Sequence, residues 1–287
     1  MMNKIFLPLI FLFLISLSEF ISAQNYNFLG EIGKFNSAVS ISASRTGNFF
    51  ISDREDNKIY KIDTLGNVIY SYGGYGWDER GFDDPADVFS ASLKVFVSDK
   101  NNHSIKIFDK DLNFLNRISG ESQNDESARF RYPVCCRVSS QGDIYILDSE
   151  EGRILKFDYL YNFKSFIGGF DAGSFQLEKP VNFDIDAQSN IYVIDGQKLI
   201  IFDKFGNGLF DLNYGISFNK IKTSGNFIIL SDQENIYLLN ISDKSSAPKK
   251  IMLNNTDFIP VIRDFTFLRK KLYVLTPEEI LIYSPGK

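Results

Sequence analysis

Five aspartates close the same short phrase of aromatic and β-branched residues: Asp53, Asp99, Asp148, Asp195 and Asp232, with Thr276 in the sixth place. Carboxylates repeated in this way suggest a metal centre, because hard cations take oxygen ligands. Ligands must, however, converge within about 2 to 2.6 Å of one ion, and equivalent positions in separate repeats lie far apart. Each Asp is therefore expected to accept hydrogen bonds from N–H groups of the turn that follows it, as Asx turns do. Asp63, Asp109, Asp158 and Asp203, which close the next phrase, carry the same expectation. His103 is the only histidine, too few for a multi-His zinc site, and reads as a surface turn residue. Cys135 and Cys136 are adjacent in an expected strand. Neighbouring strand side chains point to opposite faces, so two thiols rather than one bridge are expected. No catalytic residue, metal or cofactor is assigned.

A repeat must position these residues. Marker strands such as Phe49–Asp53, Val95–Asp99 and Ile144–Asp148 recur 37 to 49 residues apart. A second strand follows each marker (Ile59–Asp63, Ile105–Asp109, Ile154–Asp158), then a turn with Gly or Asn, then a third strand such as Val68–Tyr72 or Phe163–Ile167. A leading strand, for example Pro180–Ile185, precedes each marker. Short, β-branched and aromatic runs bounded by turn residues read as strands. Self-similarity at this period signals a solenoid or propeller, and four strands are the content of one propeller blade. Six such units, numbered 1 to 6 here, predict an all-β, six-bladed β-propeller of four-stranded antiparallel blades. Unit 6 ends after Tyr283 without a fourth strand. Tyr26–Gly33 resembles the fourth strands of other units, so it is expected to pair in the last blade and close the ring. Closure satisfies strand edges that would otherwise invite aggregation.

If leading strands line a central channel, counting two residues in from each Pro-equivalent places Ser40, Asp87, Cys135, Asn182, Asn219 and Arg263 there. Asp87, Asn182 and Arg263 are its candidate ligand-binding residues. Ile41, Val88, Cys136 and Phe183 should then face the seams. The marker-to-strand loops are longer in units 1 to 3 than in units 4 to 6. The connections between units 1 and 4 are also long, and one holds Trp77, the only tryptophan. Function concentrates on loops held by a rigid scaffold, and Trp, Tyr and Arg are favoured anchors. Trp77, Arg80, Arg54 and Arg131 are therefore expected to bind a partner on this half-face.

Gly81-Phe82-Asp83-Asp84-Pro85, Ala128-Arg129-Phe130-Arg131-Tyr132-Pro133, Gly173-Ser174-Phe175 before Pro180, and Asp99-Lys100-Asn101-Asn102-His103-Ser104-Ile105 resemble the NHL-repeat family of six-bladed propellers. The resemblance covers roughly residues 25 to 287, strongest in units 1 to 4. It implies a comparison with exported lyases of the same repeat type, which use several histidines, and with calcium-dependent lactonases acting at the channel mouth. One histidine and few convergent acids fit neither. Some members bind RNA, but a nucleic-acid binder shows a basic footprint, and this chain carries a net charge of −5.

Lys4, the apolar stretch 5–15 and Ile21-Ser22-Ala23 before Gln24 read as a signal peptide over 1–23, leaving 24–287 as one domain. The apolar run is short for a membrane span, and none follows it. Hydrophobic content is 44% and aromatic content 15%, with 28 Phe and 14 Tyr, the bulky side chains that stacked twisted sheets need. The expected protein is exported, periplasmic or extracellular. It binds a protein, peptide or glycan and does no chemistry; the alternative is an exported lyase or lactonase-like hydrolase with its site at the channel mouth.

Overall fold

The computed structural model describes residues 25–243, 246–254, 256 and 258–286; the leader reading falls outside them. Strand β1 (Asn25–Ile32) comes first. Unit 1 follows as β2 (Ala38–Ala43), β3 (Phe49–Asp53), β4 (Lys58–Ile62) and β5 (Val68–Gly73). Unit 2 is β6 (Pro85–Ala91), β7 (Lys94–Asp99), β8 (Ser104–Asp109) and β9 (Phe114–Ser119). Unit 3 is β10 (Pro133–Val138), β11 (Ile144–Asp148), β12 (Arg153–Phe157) and β13 (Phe163–Ile167). Unit 4 is β14 (Pro180–Ile185), β15 (Ile191–Asp195), β16 (Lys198–Phe202) and β17 (Gly208–Asn213). Unit 5 is β18 (Lys220–Ser224), β19 (Phe227–Ser231), β20 (Ile236–Asn240) and β21 (Lys249–Asn254). Unit 6 is β22 (Asp264–Leu268), β23 (Lys271–Leu275) and β24 (Ile280–Pro285). No helix among the described residues is long and apolar enough to cross a membrane.

Units 1 to 4 are each one antiparallel four-stranded sheet, in chain order. The rest form a single eight-stranded sheet, β18-β19-β20-β21-β1-β24-β23-β22. In it β1 runs antiparallel to β24, from Tyr26 opposite Pro285 to Ile32 opposite Ile280, with an irregularity between Phe28 and Gly30. Its other edge pairs parallel to β21 over Asn25 to Asn27. That second pairing joins units 5 and 6 and was not foreseen.

Burial falls from the first strands outward. The marker strand β3 is buried at every position, whereas β5 is exposed at five of its six. A strand covered on both faces shows no polar alternation, which is why the marker phrases read as near-continuous apolar runs. The core clusters lie between consecutive units rather than within them. Ile105, Ile107 and Phe130 pack with Cys136, Ile146 and Leu155 of unit 3, and Tyr273, Leu275 and Ile280 of unit 6 pack with Phe35, Ile41 and Phe49 of unit 1. The leading strands touch in sequence, β2 to β6, β10, β14, β18 and β22, and β22 touches β2 again.

The connections seat against glycines that end the fourth strands. A Cβ on Gly73 would stand 2.6 Å from the Phe82 ring, and one on Gly120 would stand 1.8 Å from the Phe130 carbonyl oxygen. These close approaches need glycine. They explain why a glycine closing one unit precedes the buried aromatic of the next connection.

The leading strands of units 1 to 4 share a register shift after their first residue, between Ala38 and Ser40, Pro85 and Asp87, Pro133 and Cys135, and Pro180 and Asn182. A bulge of this kind adds one residue and re-aims the next side chain. In units 5 and 6 the leading strands pair without a shift.

Candidate functional site

The bulge sets which residues meet at the axis. Opposite the residue before each marker stand Ser40, Asp87, Cys135, Asn182, Lys220 and Asp264. Two expected members are therefore corrected. Arg263 is exposed and Asn219 is partly exposed, while their successors Asp264 and Lys220 take the axial places. Counting in from a Pro-equivalent works only where a bulge inserts its extra residue. Asp87 and Asn182 lie where expected, both almost fully buried.

The axial residues stitch neighbouring units together. Asp264 Oδ2 accepts from Ile41 N at 3.0 Å, Ser40 Oγ from Val88 N at 3.3 Å, Asp87 Oδ2 from Cys136 N at 3.3 Å, and Asn182 Oδ1 from Ile221 N at 3.3 Å. Ser40 Oγ lies 2.9 Å from Asp87 Oδ1 and 3.1 Å from Asp264 Oδ2. At the seam of units 3 and 4 the Cys135 thiol donates instead, to Phe183 O at 3.6 Å.

The counter-ions are Lys220 in the axial layer and, one layer further along the strands, Arg137 and Lys222. Arg137, 2% exposed, donates to Asp87 Oδ2 at 2.6 Å and lies 3.3 Å from Asp184 Oδ1. Lys222 Nζ lies 3.3 Å from Asp264 Oδ1, and Lys220 Nζ 4.0 Å from Asp87 Oδ1. Asp184 also accepts from Thr223 N at 2.6 Å. Burial alone would push the Asp87 carboxyl up, but Arg137, Lys220 and Lys222 outweigh it and hold it at about 2. Burial also opposes the charge on Arg137, and Asp87 overrides it, raising the guanidinium further. Both cysteines are free thiols. Burial pushes Cys135 up to about 12 and Cys136 well up, so neither is a reactive thiolate at neutral pH. The axis is thus an ion-paired, hydrogen-bonded girdle. Three acids and three bases there already satisfy one another.

The marker aspartates serve structure, with a duty beyond the expected one. Asp53 accepts from Glu55 N and Asp56 N of its own turn, and also from Asn36 N and Ser37 N of the incoming connection. Asp99, Asp148 and Asp195 likewise hold Asp83 N, Arg131 N and Glu178 N. Among the described residues Asp232 and Thr276 hold no incoming connection: Asp232 accepts from Glu234 N and Asn235 N of its turn and from Tyr237 OH of β20, and Thr276 from Glu278 N and Glu279 N. Asp63, Asp109, Asp158 and Asp203 each cap a five-residue turn, accepting from the N–H of Asn67, Asn113, Asn162 and Asn207. Among the described residues no group of three His, Cys, Asp or Glu side chains could hold a metal ion.

Of the four loop residues, two come together. Trp77, 69% exposed, and Arg80 line a groove of about 690 Å³ with Phe114, Leu115, Asn116 and Arg117 of the outer strand β9. Arg54 and Arg131 are drawn elsewhere. Arg54 pairs with Asp84 at 2.5 Å and Arg131 with Glu150 at 3.5 Å, because each faces a carboxylate on the loop beside it. His103 is partly exposed; its ring nitrogen Nδ1 bonds the Arg131 carbonyl, and its ring meets Tyr132 edge-on at 5.1 Å.

The residue that sequence reading missed is Lys106. Its side chain is fully buried, 3.0 Å from Asp99 Oδ2 and 4.7 Å from the Phe82 ring centre. It donates to Asp78 O at 2.7 Å and to Gly81 O. Asn102 Nδ2 adds a bond to Gly76 O at 2.8 Å, and Tyr72 OH one to Glu79 O at 2.9 Å. The loop that carries Trp77 is therefore fastened at four carbonyls. A lysine inside an otherwise apolar strand, Ile105-Lys106-Ile107-Phe108, was the available signal.

No family model matches the chain. Protein brain tumor of Drosophila melanogaster is 29% identical over 148 residues, which are 50% of this chain and 14% of that protein. A streptogramin B lyase structure superposes with a TM-score of 0.59 at 10% identity, covering 90% of this chain and 97% of that one. Virginiamycin B lyase from Staphylococcus aureus gives 0.59 at 12% identity, and its catalytically inactive form with quinupristin gives 0.60 at 11%. Each covers 89% of this chain and 98% of the other. At such identities the likeness is one of fold, and that fold is a β-propeller.

Proposed function

We propose that this chain is an exported, six-bladed, non-enzymatic propeller that binds a protein or peptide partner through the loop face bearing Trp77. Six blades follow if the eight-stranded sheet is divided at the short parallel joint of β21 with β1, which leaves β1 as the outer strand of the last blade. The observation that carries the binding reading is the presentation of Trp77. An indole 69% exposed sits on a loop that a buried lysine holds rigid. Burying a lysine is costly unless it is paired and hydrogen-bonded, and its bonds here fix the backbone beneath the indole. A rigid anchor loses little entropy on binding. The groove beside it is walled by the outer strand β9, whose free edge suits an extended peptide. The paired state of the axial charges supports binding over catalysis, since acid–base chemistry needs a group free to exchange a proton.

The test is a photoreactive amino acid at position 77, with position 205 on the opposite face as control, expressed in the native host. A single protein crosslinked from position 77 and not from 205, and lost in a Trp77→Ala, Arg80→Ala double variant, is the expected result. Equal crosslinking from both positions overturns the reading.

The shared fold with streptogramin lyases, over about nine-tenths of the chain, favours a second reading, an exported lyase or hydrolase. Cleavage of quinupristin by the purified protein, or stoichiometric bound metal by elemental analysis, would establish it.

A further inference from the structure

The end of the axis away from Trp77 carries a cavity of about 660 Å³, at the turns between first and second strands. Units 1 to 4 wall it, and Phe89 lies in the wall with the Arg137 guanidinium 5.1 Å from its ring centre. Two cations reach it, Arg45 and Lys94. Lys94 Nζ donates to the Tyr161 hydroxyl at 3.0 Å and stands 5.4 Å from that ring's centre. Neither cation is ion-paired with a carboxylate among the described residues. The one acid of the wall, Asp186, is already occupied. It accepts from Asn190 N at 2.8 Å, Gln188 N at 2.9 Å and Tyr192 OH at 3.0 Å. In a chain of net charge −5, two unpaired cations beside one cavity mark a place for a negative ligand.

The turn that supplies the aromatic wall departs from its repeats. Asp63-Thr64-Leu65-Gly66-Asn67 and Asp203-Lys204-Phe205-Gly206-Asn207 put glycine at their left-handed position, with φ of 88° and 89°. Unit 3 has Asp158-Tyr159-Leu160-Tyr161-Asn162, and Tyr161 takes a φ of 69° there. A non-glycine residue in that region costs about 1 kcal/mol or more. Leu112, the other exception, is 1% exposed in the core, so packing accounts for it. Tyr161 is only partly buried against the core of units 2 and 3; it also sends its hydroxyl to Lys94, and Tyr159 beside it stays 65% exposed. Backbone strain that aims a side chain into a cavity is a sign of a site. Ser139 and Ser140 add hydroxyls to the same wall.

We propose that this cavity binds an acidic saccharide, a pyranose bearing a carboxylate. The apolar face of the sugar ring stacks on Tyr159 and Tyr161, the carboxylate meets Lys94 and Arg45, and ring hydroxyls meet Ser139 and Ser140. The volume falls within the range of small-ligand sites. This site stands apart from the Trp77 face, and neither proposal depends on the other.

The test is calorimetric titration of the purified protein with tri-galacturonate, with neutral maltotriose and with sodium acetate. Tri-galacturonate binds and the other two do not. Lys94→Met weakens binding about tenfold or more, as expected for a hydrogen bond to a charged group. Tyr159→Ala, at an exposed position, weakens it without lowering the melting temperature, so a folding defect is distinguishable. Absence of tri-galacturonate binding, equal binding of maltotriose, acetate binding of similar strength, or indifference to both substitutions overturns the proposal.

Discussion

Units 1 to 4 and units 5 and 6 share one strand pattern but tie their inner ends differently. In the first four, a buried marker carboxylate holds the connection entering its unit. In the last two, Asp232 and Thr276 bind within their own units and, among the described residues, hold no connection. The axial pairs divide the same way. Asp87 and Arg137 are 1% and 2% exposed, whereas Lys222, which faces Asp264, is 21% exposed. A single residue type in a repeat can therefore do two jobs, set by what the neighbouring connection brings to it. Where the marker holds the connection, the outer residues of that connection are free to vary on a fixed base. Both candidate sites lie in that half.

Breaking the buried pair should have the largest effect. Asp87→Ala leaves Arg137 with Asp184 alone, and loss of one partner of a buried pair costs about 3 to 5 kcal/mol. Urea unfolding of the variant measures it, and a loss below 1 kcal/mol would show the girdle to be solvated.

The markers give the direct comparison. Asp99→Ala removes the carboxylate beside the buried Lys106 and should cost about 3 kcal/mol. Asp232→Ala removes hydrogen bonds at a partly exposed turn and should cost about 1 kcal/mol. Equal costs would dissolve the distinction between the two groups of units.

Acid should weaken the Asp87 pair. Asp87 is held at about 2 in the folded chain, below its unfolded value of about 3.9. The unfolded chain therefore takes up the proton first. The resulting stability, about 2 kcal/mol, is present above pH 4 and is lost as pH falls toward 2. Burial raises Asp99 and Asp148, so these act with the opposite sign and gain stability as pH falls toward the unfolded value. A pH series of urea midpoints for the wild type and Asp87→Asn isolates the Asp87 contribution, whose slope should vanish in the variant.

The smallest effect belongs to the surface pair of Arg131 with Glu150, 67% and 37% exposed. Arg131→Met should change stability by less than about 1 kcal/mol, read as a small shift in melting temperature. A loss as large as that of Asp87→Ala would place the surface and axial pairs on the same footing.

The strands, their four-fold grouping and the pairing of Tyr26 to Ile32 with β24 were legible in the chain. Each rests on a local pattern: runs of β-branched and aromatic residues, turns marked by Asp, Gly and Asn, and a last unit one strand short. The axial residues of units 1 to 4 were legible too, because a proline or its equivalent marks the bulge that aims them. Units 5 and 6 carry no such mark, and there the count slipped from Lys220 to Asn219 and from Asp264 to Arg263. Trp77 and Arg80 could be singled out by type, but not that Arg54 and Arg131 would be neutralised by Asp84 and Glu150.

Residue order alone fixed what repeats, since strand period, turn chemistry and the missing strand are properties of a few neighbours along the chain. Only the closed tertiary arrangement decided which charges meet. Arg137 finds Asp87 from 50 residues away, and Lys94 finds Tyr161 from 67. Coulombic and hydrogen-bond partners are chosen by distance through space, and that distance exists only once the units have come round to face one another.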